Sequence, residues 1–158
     1  MRPRDKVFEP RVSIITLGVA DMARSIRFYR DGLGFPTSAA DDWRWAIFRT
    51  GGARIALYPL GRLAEDIGPR AGEATRGFGG ITLAHNTRTR GQVDEILRMA
   101  EKAGGRIIKP AAVAGWGGYS GYFADPDGYP WEVAWSDSWI IAEDGTLWGG
   151  SLGEPDGP

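Results

Sequence analysis

The stretch Gly117-Gly118-Tyr119-Ser120-Gly121-Tyr122-Phe123-Ala124-Asp125-Pro126-Asp127-Gly128-Tyr129-Pro130-Trp131-Glu132-Val133-Ala134-Trp135 decides the fold. It reads as two short aromatic strands joined by an Asp-Pro-Asp-Gly reversal, in which proline presets φ and glycine supplies the left-handed position. One carboxylate, Glu132, stands between large apolar neighbours in the second strand. A charge in such surroundings costs free energy unless it meets a partner, a metal or a ligand. Glu132 is therefore the first candidate for function.

Upstream of this hairpin, Ile81 to His85 reads as a strand, and Thr89 with Gln92 three residues on is a capping box. Val93, Ile96, Leu97 and Met99-Ala100 form the apolar stripe of a helix that Gly104-Gly105 ends, and Arg106 to Lys109 is a short strand. The first half keeps the same order. Val12 to Val19 is an apolar strand, Asp21 caps a helix from Met22 to Arg30, and a short strand is expected near Pro36-Thr37-Ser38. Trp43 to Phe48 and Ala53 to Tyr58 flank Thr50-Gly51-Gly52 as a hairpin.

This repetition predicts an internal duplication of about 60 to 70 residues per unit. The expected fold class is α+β, with tandem βαβββ modules forming a curled mixed sheet with a concave cleft. The divisions are an N-terminal extension 1–11, a first module 12–60, a polar linker 61–79, a second module 80–135 and a C-terminal extension 136–158. In that extension Asp144-Gly145 marks a small hairpin that packs Trp139 and Trp148 on the body, and the residues beyond it read as a frayed tail.

Composition narrows the function. With 20 acidic and 19 basic side chains in 158 residues, the formal charge of −1 gives no pull toward nucleic acid or an anionic membrane. The absence of cysteine excludes disulfides, thiolate nucleophiles and Cys-ligated zinc. No apolar run approaches the roughly 20 residues of a membrane helix, so a cytoplasmic protein is expected. Seven tryptophans supply flat apolar surface that must fill a core or line a pocket.

A tandem βαβββ pattern ending in Tyr122-Phe123-Ala124-Asp125-Pro126-Asp127-Gly128 and Trp131-Glu132-Val133 resembles the vicinal-oxygen-chelate superfamily of glyoxalases, extradiol dioxygenases and bleomycin-resistance proteins. The opening Leu17-Gly18-Val19-Ala20-Asp21-Met22-Ala23-Arg24-Ser25, with Phe28-Tyr29 and Leu33-Gly34, is similar to that group's first strand and helix. In metal-using members the ligands come from the first and last strands of both modules. The resemblance puts those positions on Ile14, Ala56, Thr82 and Glu132, of which Glu132 alone keeps a ligating type. It thus implies no bound metal and no other cofactor.

The same resemblance implies a bleomycin-resistance-like homodimer that sequesters a small aromatic or heterocyclic molecule. The expected ligand-binding residues are Trp43, Trp45, Trp116, Tyr119, Thr82 and Glu132. The alternative is a metal-independent isomerase or lyase with Glu132 as general base and Tyr119 or Tyr122 as donor. A metal-dependent glyoxalase- or dioxygenase-type enzyme is the third reading. Each residue also has a plainer role. Glu132 could pair with Arg44, Arg54 or a backbone amide, and the tryptophans could pack at a module or dimer interface. His85 suits either a structural hydrogen bond or a place in a pocket.

Overall fold

A computed structural model of the chain describes residues 12, 14–68, 79 and 81–149. The first module contributes strand β1 (Ile14–Val19), helix α1 (Met22–Arg27), and strands β2 (Ala46–Phe48) and β3 (Arg54–Pro59). Helix α1 runs on into a π-helical turn, Phe28–Gly32. After a further helix, α2 (Leu60–Ile67), the second module supplies β4 (Leu83–Asn86), α3 (Arg90–Lys102), β5 (Arg106–Val113), β6 (Tyr119–Ala124) and β7 (Pro130–Trp135). A hairpin of β8 (Trp139–Ile141) and β9 (Leu147–Gly149) comes last. The α+β class expected from the sequence is the one observed.

The sheets run β1-β3-β2 and β4-β7-β6-β5. In each, the first strand lies parallel to the last and the rest pair antiparallel. The strand expected near Pro36 does not form, so the first sheet has three strands. Pro36 has no N–H to give a ladder, and Thr37 bonds the Ile47 carbonyl through its hydroxyl at 2.7 Å. The segment stays alongside β2 through Arg49 N–H to Pro36 O, 2.8 Å. Strand β2 also begins later than Trp43, because a ladder extended past Ala46↔Leu57 would run into Tyr58 and Pro59, and Pro59 starts α2.

Local signals hold elsewhere. The Asp21 carboxylate accepts the Arg24 N–H at 3.0 Å, and the Thr89/Gln92 capping box is formed. Gly128 closes the Asp-Pro-Asp-Gly reversal with φ 92°, where a side chain would be strained. Residues 61–67 of the expected linker are helical, in a helix that begins at Leu60. Its Leu60 and Leu63 crowd Gly18 in β1, on the side of the sheet away from α1.

The two modules share one core. Leu17, Val19, Ile55 and Leu57 of the first sheet join Phe123, Trp131 and Val133 of the second. Tyr29 and Phe28 of the π-turn lie between, with ring centroids 6.1 Å from Trp131 and 6.3 Å from Phe123 respectively. Each such fully buried side chain contributes about 1.5–3 kcal/mol. Polar seams cross the same joint: the Tyr29 hydroxyl donates to Asp125 at 2.5 Å and accepts the Trp131 indole N–H at 3.2 Å. In the hairpin, Gly145 takes φ 90° and Trp139 stacks on Trp116 at 5.4 Å with 21° between the planes. The extension 1–11, the packing of the Trp148 side chain and the tail beyond Gly149 lie outside the described residues.

Candidate functional site

Strand alternation sorts β7 into two faces. Trp131 and Val133 enter the shared core, and Glu132 and Ala134 point to the side away from the helices. Opposite Glu132 stand Tyr122 on β6 and Ala84 on β4, and opposite Ala134 stands Ser120. The Tyr122 phenol is held above its ordinary value, first by burial and then by its hydrogen bond to Glu132 and that group's charge. This carboxylate–phenol pair is the polar centre of the face. No ion pair joins Glu132 to Arg44 or Arg54 among the described residues.

The expected residues do not all meet there. Tyr119 lies three residues before Tyr122 and so takes the helix side of β6. Its hydroxyl donates to the Asp94 carboxylate at 3.1 Å, and the Arg90 guanidinium sits 4.3 Å over its ring. It is not placed to serve as donor beside Glu132. Trp43 and Trp45 precede β2, 48% and 42% exposed, outside any strand that would align them. Trp45 meets Tyr58 edge-on at 5.8 Å. Trp116 spends one ring face on Trp139. Thr82 is exposed, and its hydroxyl donates to the Pro130 carbonyl at 3.0 Å. Tyr58 is a further aromatic on this side that the sequence reading does not single out, although alternation from Ala56 places it on the same face.

The strand registers fix where metal ligands would stand. Ala56 pairs with Thr16 and Glu132 with Ala84. Ile14 and Thr82 each lie two residues before those partners, so the two modules match position for position. The set is then two hydrocarbon side chains, one hydroxyl and one carboxylate. Such a set does not fit a divalent catalytic metal, which takes about three N, O or S ligands from protein. Among the described residues no group of three His, Asp or Glu side chains converges elsewhere.

A cavity of about 750 Å³ wraps the β4 edge of the second sheet, lined by Leu83, His85 and Trp131 of the helix side and also by Thr82 and Ala84, which share the Glu132 face. It opens between the edge strands β1 and β4, under α3 and the C-terminal hairpin. Of the expected ligand-binding residues only Thr82 lines it, together with His85, whose pKa burial lowers.

The model of the Glyoxalase/Bleomycin resistance protein/Dioxygenase superfamily matches residues 11–133, and the chain belongs to that superfamily. Among solved structures it is similar to a glyoxalase-related enzyme from Fulvimarina pelagi. The two share 32% identity over 88% of this chain and 97% of that one, with a TM-score of 0.77. It is also similar in fold to a glyoxalase/bleomycin resistance protein/dioxygenase family enzyme from Burkholderia phytofirmans PsJN, at 18% identity, 79% and 98% coverage and TM-score 0.67. A lactoylglutathione lyase from Agrobacterium tumefaciens matches at 19% identity, 81% and 95% coverage and TM-score 0.58. No curated protein matches the chain. Among the described residues no helix is long and apolar enough to cross a membrane.

Proposed function

We propose that the chain binds a small aromatic or heterocyclic molecule without a metal, in the manner of a bleomycin-resistance protein, on the face that carries Glu132. The observation behind this reading is the register match: where the superfamily would place ligands, the chain has Ile14, Ala56 and Thr82, and it keeps only Glu132. A carboxylate that stands opposite the Tyr122 phenol anchors a hydroxyl or cationic group of the ligand. Flat apolar surface comes from the exposed rings of Trp43 and Trp45, the latter against Tyr58. Aromatic contacts of this kind contribute about 0.5–1.5 kcal/mol each beyond area burial. The reading includes a homodimer.

Intrinsic tryptophan fluorescence titrated with planar heterocycles tests this, alongside elemental analysis and sedimentation. Saturable quenching that weakens about tenfold in Glu132→Gln is expected, as for loss of one charge-assisted hydrogen bond. Stoichiometric nickel, zinc or iron in the purified protein would overturn the reading.

The Tyr122–Glu132 pair also favours a second reading, a metal-independent isomerase or lyase with Glu132 as base and Tyr122 as donor. The similar Fulvimarina pelagi protein is described as an enzyme. Turnover abolished in Glu132→Gln with ligand affinity intact would decide for catalysis.

A further inference from the structure

We propose that the cavity between the modules is a second binding site, centred on Trp131 and His85 rather than on Glu132, for a small molecule with an apolar body and one anionic group. Its volume of about 750 Å³ is that of a ligand pocket. The floor is hydrocarbon: Ile15 and Phe35 from the first module, Leu83, Ile96 and Trp131 from the second. Such a surface takes an aromatic ring or a short acyl chain. Trp131 and Glu132 are neighbours on β7 and point to opposite faces, so a ligand seated on Trp131 does not touch Glu132.

The rim sets the sign of the charge. Arg49 and Arg88 line it against one carboxylate, Asp144. Asp144 is engaged in its own turn, accepting the Thr146 N–H at 2.9 Å. The guanidinium of Arg88 donates to the carbonyls of Ile141 and Ala142 at 2.5 and 2.6 Å, contacts that leave its positive charge uncancelled. His85, exposed to solvent on the cavity wall, has its pKa lowered by partial desolvation, which favours the neutral ring with one donor and one acceptor. Two guanidinium groups against one carboxylate leave a positive balance facing an apolar floor, which complements an anion.

The outer wall lies beyond the span that the superfamily match covers. The superfamily match ends at residue 133, whereas Ile141, Gly145 and Leu147 of the β8–β9 hairpin close the cavity. Arg88 thus acts twice, fastening that wall and lending the site its charge.

The full chain titrated with 8-anilinonaphthalene-1-sulfonate, an apolar monoanion, tests the site. The chain has one histidine, so the ring-proton resonance of His85 reports on this cavity unambiguously. Saturable binding is expected to move that resonance. Arg49→Gln should weaken binding about fivefold, as removal of one partly screened charge contact does. Ile96→Phe, which fills the floor, should weaken it further. An unmoved His85 resonance at saturation would overturn the site. Undiminished binding in Arg49→Gln, or equal binding of the uncharged N-phenyl-1-naphthylamine, would overturn the anion preference. If Ile96→Phe fails to fold, the rim variant and the resonance still decide.

Discussion

The Asp127 carboxylate accepts the Ser25 hydroxyl at 2.6 Å, which joins the β6–β7 reversal of the second module to helix α1 of the first. Its other oxygen accepts the Ala20 N–H at 2.9 Å and an Arg24 N–H at 3.0 Å. The side chain is only 6% exposed, so water cannot replace these bonds cheaply. Asp127→Ala should lower stability by about 2–3 kcal/mol in urea denaturation, and Asp127→Asn by about 1 kcal/mol. Unchanged midpoints would mean the joint is incidental.

A second seam lies deeper. Tyr29 is fully buried, and its hydroxyl links Asp125 to the indole of Trp131. Tyr29→Phe preserves the ring packing but strands a buried carboxylate oxygen and an indole N–H, at a cost of about 1–3 kcal/mol. Thermal unfolding followed by near-ultraviolet circular dichroism reads this out; a melting point within error of the parent would contradict it.

Strand β5 carries Pro110 at the edge of its sheet and shifts register on either side of Lys109. Gly121 on β6 lets that irregular backbone approach. A Cβ there would meet Leu97 Cδ1 at 2.6 Å and the Ala111 nitrogen and Lys109 oxygen at 2.9 Å. Gly121→Ala is therefore expected to destabilise by about 1–3 kcal/mol, the usual range for overpacking. A neutral or stabilising result in denaturant would show that β5 can move aside.

His85 supplies the pH dependence. Burial lowers its folded-state pKa below the ordinary 6.5, so the unfolded chain takes the proton more readily. Its contribution to stability is full above 6.5 and is lost as pH falls through 6.5 toward the lowered value. Proton NMR of the free chain should give a pKa below 6.5, and His85→Gln should flatten the decline in stability on that acid side. A titration midpoint at or above 6.5 would refute the sign.

Features encoded locally were readable from the sequence. The Asp-Pro-Asp-Gly reversal, the Asp21 cap and the Thr89/Gln92 box each depend on residues a few positions apart. Alternation placed Glu132 on the face away from Trp131 and Val133. The same rule, applied to Tyr119 and Tyr122, separates them, since three residues along a strand reverse the face. Helix α2 carries Leu60, Leu63, Ala64 and Ile67 at helical spacing, a signal that a linker expectation based on polar composition does not use. Long-range partners were not readable. Asp125 meets Tyr29 across 96 positions, and only packing brings them together. The cavity beside His85 likewise arises where two edge strands and the hairpin border one space, which no stretch of sequence contains.

Trp116 and Trp139, stacked face to face, give the C-terminal hairpin an optical signature of its own. Two indoles this close exchange excitation, and a coupled pair produces circular dichroism bands of opposite sign that separated rings lack. Docking and release of the hairpin can therefore be followed in the unlabelled protein, from a chromophore pair that vanishes when Trp116 is replaced by leucine.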